Sequence, residues 1–235
     1  MSFLVKARKW VNAYGFQIGL GLIIFLGLLL PQIFRRNDFI IHLLFTLGVY
    51  AVLSTSLNIA VGYCGLANMA HGTFFGLGAY TAALLALNYG VPFYVTLILG
   101  GVLASVFGLL LGLVTLRLDG FYLSLAAIGF GQIIRLIQLN WIEVTKGPMG
   151  LPGIPGAKLF GHPFAKIDYC YYVLFLLAIV LILSWRLKKS RVGRAFFAIK
   201  NDPLAAVSLG VNTVYYKVLA LTLSSFLAGS VGSID

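Results

Sequence analysis

Apolar residues run for about twenty positions at a time along this chain, the length a helix needs to cross a hydrocarbon core about 30 Å thick. Such stretches fall at Phe16 to Phe34, Phe39 to Ala60, Ala70 to Tyr89, Phe93 to Leu116, Phe121 to Asn140 and Tyr169 to Arg186, and a last one begins near Thr213. The pattern predicts an all-α, polytopic transmembrane bundle forming a single domain over 1–235. Two of the breaks are long. Ile142 to Asp168, rich in Gly and Pro, predicts an external loop over 142–168. Ser184 to Gly210 instead sets Arg186, Lys188, Lys189, Arg191, Arg194 and Lys200 between two apolar stretches. Within its basic part, 186–210, Asp202 reads as an N-cap, Pro203 as a first helical residue with no N–H to satisfy, and Gly210 as a stop.

Composition changes how the charge is read. A net charge of +11 would suggest nucleic acid in a soluble chain, but with 60% hydrophobic and 10% charged residues no soluble surface could be covered. The basic residues cluster where apolar stretches end, so membrane topology accounts for them. Lys6, Arg8 and Lys9 place the N-terminus in the cytoplasm, and six crossings return the chain there at 186–210. Arg35 and Arg36 are discordant, since this topology puts them outside beside Asp38. The first stretch is too long for a signal-peptide core and no small-residue cleavage site comes after it. Asp235 stands part way through the last stretch, and a carboxylate at membrane depth is costly, which predicts a chain that continues beyond it.

Gly100, Ala104, Gly108 and Gly112 recur every four residues and predict one face of close helix packing, with Gly72 and Gly76 a second pair and Gly78 and Ala82 on a neighbouring stripe. Asn58, Asn68, His71 and Thr73 surround VGYCG, where a continuous helix would otherwise be expected. That cluster predicts a broken or re-entrant element, which survives at membrane depth only inside protein or along a wet cavity. Asn58, Asn68 and His71 are therefore pathway candidates, though for His71 a purely structural bond to a neighbouring carbonyl is the stronger reading. Gln132 and Arg135 share a face of the fifth stretch, and Arg135 fits either an interfacial or a pathway position. Cys64 and Cys170 fall near opposite faces and read as packing residues. With six acidic residues and no HExxH, GxSxG or Walker A spacing, the chain offers no catalytic group, metal site or cofactor site, so an enzyme is not expected. The basic segment itself fits two readings, a solvated loop that only fixes topology or a docking element.

Three motifs carry a resemblance. LNIAVGYCGLANMAHGTFFGLGAYT at Leu57 to Thr81, AIGFGQIIRL at Ala127 to Leu136 with GPMGLPGIP at Gly147 to Pro155, and SRVGRAFFAIKNDPLAAVSLGVNT at Ser190 to Thr213 resemble the permease subunits of ATP-binding-cassette importers for branched-chain amino acids. The order of motifs and the long external loop are more similar to the LivM-type subunit than to its LivH-type partner. The resemblance departs at Gln132, where the family often has a carboxylate, and at Lys146, where it often has glycine. It implies a type II-like importer permease in the bacterial cytoplasmic (inner) membrane, working with a second, LivH-type permease, two ATP-binding subunits and a periplasmic substrate-binding protein. The helix from Pro203 to Leu209 would dock on the ATPase, with coupling carried by Gly193, Arg194, Asp202, Pro203, Ala205, Ala206 and Gly210. Arg194 would meet an acidic ATPase surface and both alanines would allow close docking. ATP hydrolysis would then drive alternating access for leucine, isoleucine or valine. A urea or short-amide permease of the same build, or an ATP-independent channel or secondary transporter, would carry similar spacing.

Overall fold

The computed structural model describes residues 19, 21, 27, 29–35, 37–115, 118, 120–156, 158–159 and 162–234. Lys6, Arg8, Lys9, Arg36, Asp235 and most of the Phe16 to Phe34 stretch lie outside these residues.

The architecture is an all-α polytopic bundle. Helix α1 (Asp38–Asn58) is opened by Asn37, whose side chain accepts hydrogen bonds from the backbone of Phe39 and Ile40, and it runs directly into a π-turn at Ile59–Tyr63. After an irregular connection, α2 (His71–Tyr89) ends where Gly90 takes a left-handed conformation that glycine adopts without strain. Helix α3 (Phe93–Val114) begins after Pro92, and α4 (Phe121–Asn140) after Gly120. The segment after α4 holds a short α5 (Ile142–Thr145), a 3-10 turn at Gly147–Met149, and a two-residue antiparallel ladder of β1 (Lys158–Leu159) with β2 (His162–Pro163). Lys146 has φ 60°, the left-handed region where a glycine fits better. Then come α6 (Lys166–Lys189), α7 (Arg191–Asn201), α8 (Pro203–Ser208) and α9 (Thr213–Gly232).

Five helices among the described residues are long and apolar enough to cross a membrane: α1 with its π-turn, α3, α4, α6 and α9. The expected span at Ala70 to Tyr89 is a helix, but glycine and polar residues in its first half keep α2 below that apolar threshold. The stretch at 186–210 is also more regular than an opened loop. The span before it continues to Lys189, and α7 and α8 occupy most of the remainder.

Helix α9 is the centre of the bundle and contributes to all three buried apolar clusters, through Ala220 and Leu221, Ala228, and Val231. It packs antiparallel along α3, where a Cβ added at Gly100, Gly101, Gly108 or Gly112 would lie 2.1, 2.3, 2.1 or 3.3 Å from Ser233, Ser230, Ser225 and Val218. Ala104 fits between these glycines and is fully buried. The α9 hydroxyls are not left unsatisfied, since Ser225, Ser230 and Ser233 donate to the carbonyls of Leu221, Phe226 and Gly229 on their own helix. On the α2 side, a Cβ at Gly78 would lie 2.0 Å from the Gly229 carbonyl oxygen, and one at Gly232 2.0 Å from that of Phe75. The Gly72 and Gly76 positions, by contrast, face open space.

Helices α1 and α6 run parallel as a second unit. An Asp38–Lys166 ion pair joins their amino ends, and the Tyr63 and Ser184 hydroxyls are hydrogen-bonded at 2.8 Å near their carboxyl ends. Helix α4 lies at the periphery, burying Leu123, Ala127, Gly131 and Ile134 while Phe121, Tyr122, Leu125, Ile133 and Leu136 face outward. Such an outward apolar face suits lipid tails.

Because close contact is a main source of helix association in lipid, the α2–α9 approach should be the most sensitive point of the fold. Gly78→Ala is expected to cost about 2 kcal/mol, as overpacking does, whereas Gly72→Ala and Gly76→Ala should be close to neutral. Thermal unfolding of the detergent-purified protein measures the difference.

Candidate functional site

The basic segment folds as a two-helix unit closed onto one end of the bundle. Ser190 caps α7 by accepting the Gly193 amide at 3.1 Å. A Cβ at Gly193 would fall 2.1 Å from the Leu187 carbonyl oxygen, so the sharp reversal from α6 into α7 requires glycine there. Arg194 is exposed, and its Nη1 donates to the Lys189 carbonyl at 3.3 Å. One face of α7 turns inward, burying Ala195, Phe196 and Ile199, while Arg191, Arg194 and Lys200 remain outside.

Asp202 stands in extended conformation between α7 and α8, and its Oδ1 accepts the amides of Leu204 at 2.9 Å and Ala205 at 3.0 Å. Pro203 occupies the first helical position. Gly210 adopts φ 80° and ends the helix, with its amide bonded to the Val207 carbonyl and that of Val211 to Ala206. These bonds fix the orientation of α8. Ala205 is exposed, but Ala206 is 1% exposed and packs inward with Phe196, Ile199 and Ala220. Ala206 therefore seats α8 on its own subunit and leaves no surface for a partner, contrary to the docking role expected for both alanines. The sequence pattern did not single out the residues that do face outward: Leu204 and Leu209, each 82% exposed, and Val207. The capped helix holds these apolar side chains out, where they are available for contact.

The inner face of this unit covers the break in the membrane region. Phe196, Ile199 and Ala206 share a buried cluster with Ile59, Ala60, Cys64 and Leu66. The Tyr63 and Phe197 rings are 5.4 Å apart, and Lys200 Nζ donates to the Gly62 carbonyl at 2.7 Å. At Gly62, a Cβ would collide with Asn58 Oδ1 at 1.8 Å, so glycine lets the Asn58 side chain fold over the π-turn. The reversal continues through Gly65, at φ 75°, and closes when the Leu66 amide bonds back to the Ala60 carbonyl at 2.9 Å. Cys64 is buried in this cluster and packs as an apolar group.

Beyond the turn, Asn68 Oδ1 accepts the Ala70 amide at 3.1 Å and α2 begins at His71. His71 Nε2 lies 2.8 Å from Ser56 Oγ, and the Ser56 hydroxyl donates to the Leu53 carbonyl. With its proton so used, Ser56 accepts from His71, which puts the imidazole proton on Nε2 and leaves Nδ1 as an acceptor. Both Asn68 and His71 are buried, and Asn68 Nδ2 and His71 Nδ1 have no hydrogen-bond partner. The three pathway candidates are not gathered at one place. Asn58 instead borders a groove between α1 and α6 with Thr55, Tyr63, Ser184 and Trp185.

A cavity of about 940 Å³ lies at the other end of the bundle, between Ile41, Phe45, Ala82, Phe93 and Tyr169. One of its walls is the final turn of α9, Gly232 to Ile234. Gln132 and Arg135 are exposed on α4, away from both features.

Residues 39–234 match the family described as branched-chain amino acid transport system / permease component. The chain is 35% identical over 79% of its length to the high-affinity branched-chain amino acid transport system permease protein LivM of Salmonella typhimurium, covering 49% of that protein, and equally so to LivM of Escherichia coli. It is 30% identical over 86% of its length to the autoinducer 2 import system permease protein LsrC of an Enterobacter species, covering 54% of it. The chain thus spans about half the length of the curated relatives it matches. No solved structure matches it. A multi-pass bundle with the matched segment running from α1 to the last turn of α9 makes the assignment plain: the chain belongs to the branched-chain amino acid transport system permease family.

Proposed function

We propose that the chain is a permease subunit of an ATP-driven importer for branched-chain amino acids, and that α8 is the element that docks on a partner ATP-binding subunit. The observation that carries this reading is the seating of α8: capped by Asp202, anchored inward by Ala206, and presenting Leu204 and Leu209 outward at 82% exposure each. A contact surface of that kind suits a cleft on a soluble partner better than it suits water. The likeness to LivM supports the cargo, and the basic rim of Arg191, Arg194 and Lys200 supports a cytoplasmic position for this end. That orientation sets α5 and the β1–β2 ladder on the outside, where a periplasmic binding protein delivers substrate, and a second, LivH-type permease alongside.

In this mechanism nucleotide binding draws two ATP-binding subunits together, one of them carrying the docked α8 and the other meeting the second permease. The motion passes to the membrane helices and exchanges outward for inward access. Asp202 and Pro203 hold the start of α8, Gly210 its end, Gly193 the reversal that places α7, and Arg194 meets an acidic patch on the ATPase. Asn68 and His71, with polar atoms left unpaired at the break, are the pathway candidates that this geometry favours over Asn58. The likeness to LsrC favours one alternative, the same machine with a different cargo.

Uptake of labelled leucine and labelled urea, in cells lacking the gene and in cells complemented with the full-length gene, tests the cargo. Leucine uptake that is lost, restored and abolished by ATP depletion is the expected result. Urea alone behaving so would reassign the cargo, and flux insensitive to ATP depletion would remove the docking role of α8. Arg194→Glu, in a solvated position, should lower leucine uptake about tenfold, equivalent to about 1.4 kcal/mol, at unchanged membrane levels. Immunoblotting beside the uptake assay separates that loss from misfolding.

A further inference from the structure

We propose that Lys200 is the positioning residue that transmits movement of α8 to the break in the membrane region, through its bond to the π-turn of α1. The inference rests on the importer reading above and adds to it the link between the docking helix and the membrane helices.

The last carbonyls of a helix have no partner within it and carry partial negative charge. Gly62 supplies one of these at the end of the π-turn, and its oxygen accepts from the Lys200 ammonium at 2.7 Å, a bond between groups 138 residues apart in the chain. Lysine in the last turn of a helix usually complements that helix's own dipole. Lys200 sits in the last turn of α7, yet its ammonium bonds to α1 instead. Its stem is seated as well as its head. A Cβ at Gly65 would lie 3.1 Å from Lys200 Cγ and 3.4 Å from its Cα, so Gly62 and Gly65 bracket the side chain from two sides.

The rest of the contact between α7 and the break is apolar: Phe196 and Ile199 against Ile59, Ala60 and Leu66, and Phe197 against Tyr63. Apolar burial has no preferred direction, so it does not by itself tie one particular atom of α7 to one of the π-turn. The Lys200–Gly62 bond is charge-assisted and directional, and it makes the π-turn move with α7. A π-turn is a rare departure from the α-helical register, and such turns are frequently found at functional sites. Movement there reaches the polar cluster by two routes. Along the chain, the reversal at Gly65 leads to Asn68 and His71. Across space, Ser56 on α1 holds the first residue of α2 through the His71 ring.

The test uses the full-length complex, with its ATP-binding subunits and binding protein, in proteoliposomes. Lys200→Met keeps a stem over Gly65 and removes the donor, while Lys200→Arg keeps a charged donor. The readout is leucine taken up per ATP hydrolysed. Lys200→Met is expected to keep ATP hydrolysis within about twofold of wild type and lower the ratio about tenfold, with Lys200→Arg restoring most of it. A normal ratio in Lys200→Met would overturn the proposal, and so would hydrolysis and uptake falling together, which is what a merely structural residue would give. A second readout does not depend on the cargo. The distance between spin labels at Val61 and Arg191, both exposed, should stay constant between nucleotide-free and vanadate-trapped wild type and should change between those states in Lys200→Met. A distance that varies equally in both proteins also overturns the link. If wild type shows no ATP-dependent uptake of leucine, the cargo reading fails separately, and the label distances still decide whether Lys200 holds α7 to α1.

Discussion

The close approach of α9 to α2 and α3 is the constraint on which the rest of the structure depends. Lipid tails are as apolar as leucine, so membrane helices gain little from burying side chains and associate through tight contact instead. Here the contact is made by removing side chains. Glycines at 78, 100, 101, 108, 229 and 232 each stand where a Cβ would meet another helix at 2.3 Å or less. The serines of α9 fill the remaining space with hydroxyls already bonded to their own helix. A seam built this way has one register, because sliding by a residue would bring side chains where only hydrogen fits. Helix α9 thus serves as a rigid post.

The second constraint is backbone satisfaction at the break. Irregular backbone inside a membrane region must find partners in protein. The π-turn and the reversal after it find them in three places: within the turn through the Leu66 to Ala60 bond, in the Asn68 side chain, and in Lys200 of the two-helix unit. The unit that carries α8, the docking helix of the importer reading, is therefore the same unit that caps the break. In that reading docking surface and membrane discontinuity are two faces of one object, α7 with α8. That arrangement is what makes transmission from a soluble motor to the membrane helices physically direct in the importer reading.

Much of this is legible in the residues. The twenty-residue apolar runs mark the helices, and the four-residue repeat from Gly100 to Gly112 marks the face of α3 that the structure sets against α9. Asp202, Pro203 and Gly210 announce α8, since each residue type has a narrow role at a helix end. Orientation and partners at a distance are not legible in the same way. Ala205 and Ala206 are identical in type, and only packing against Phe196 and Ala220 separates the exposed one from the buried one. The bond from Lys200 to Gly62 joins segments far apart in the chain, which no local pattern encodes. Helix α7 is within reach of the pattern: VGRAFFAI places apolar residues on one face and basic ones on the other, a signal masked by the number of charges around it.

The central claim is that the outward side of α8 is the docking surface. The most direct measurement is site-specific photo-crosslinking in the assembled full-length complex, with the reactive group placed in turn at Leu204, Leu209 and Ala206. Crosslinks to an ATP-binding subunit from Leu204 and Leu209, and from Ala206 only to other parts of the same subunit, are the result this account predicts. Crosslinks to the ATP-binding subunit from Ala206, or from none of the three, would contradict it.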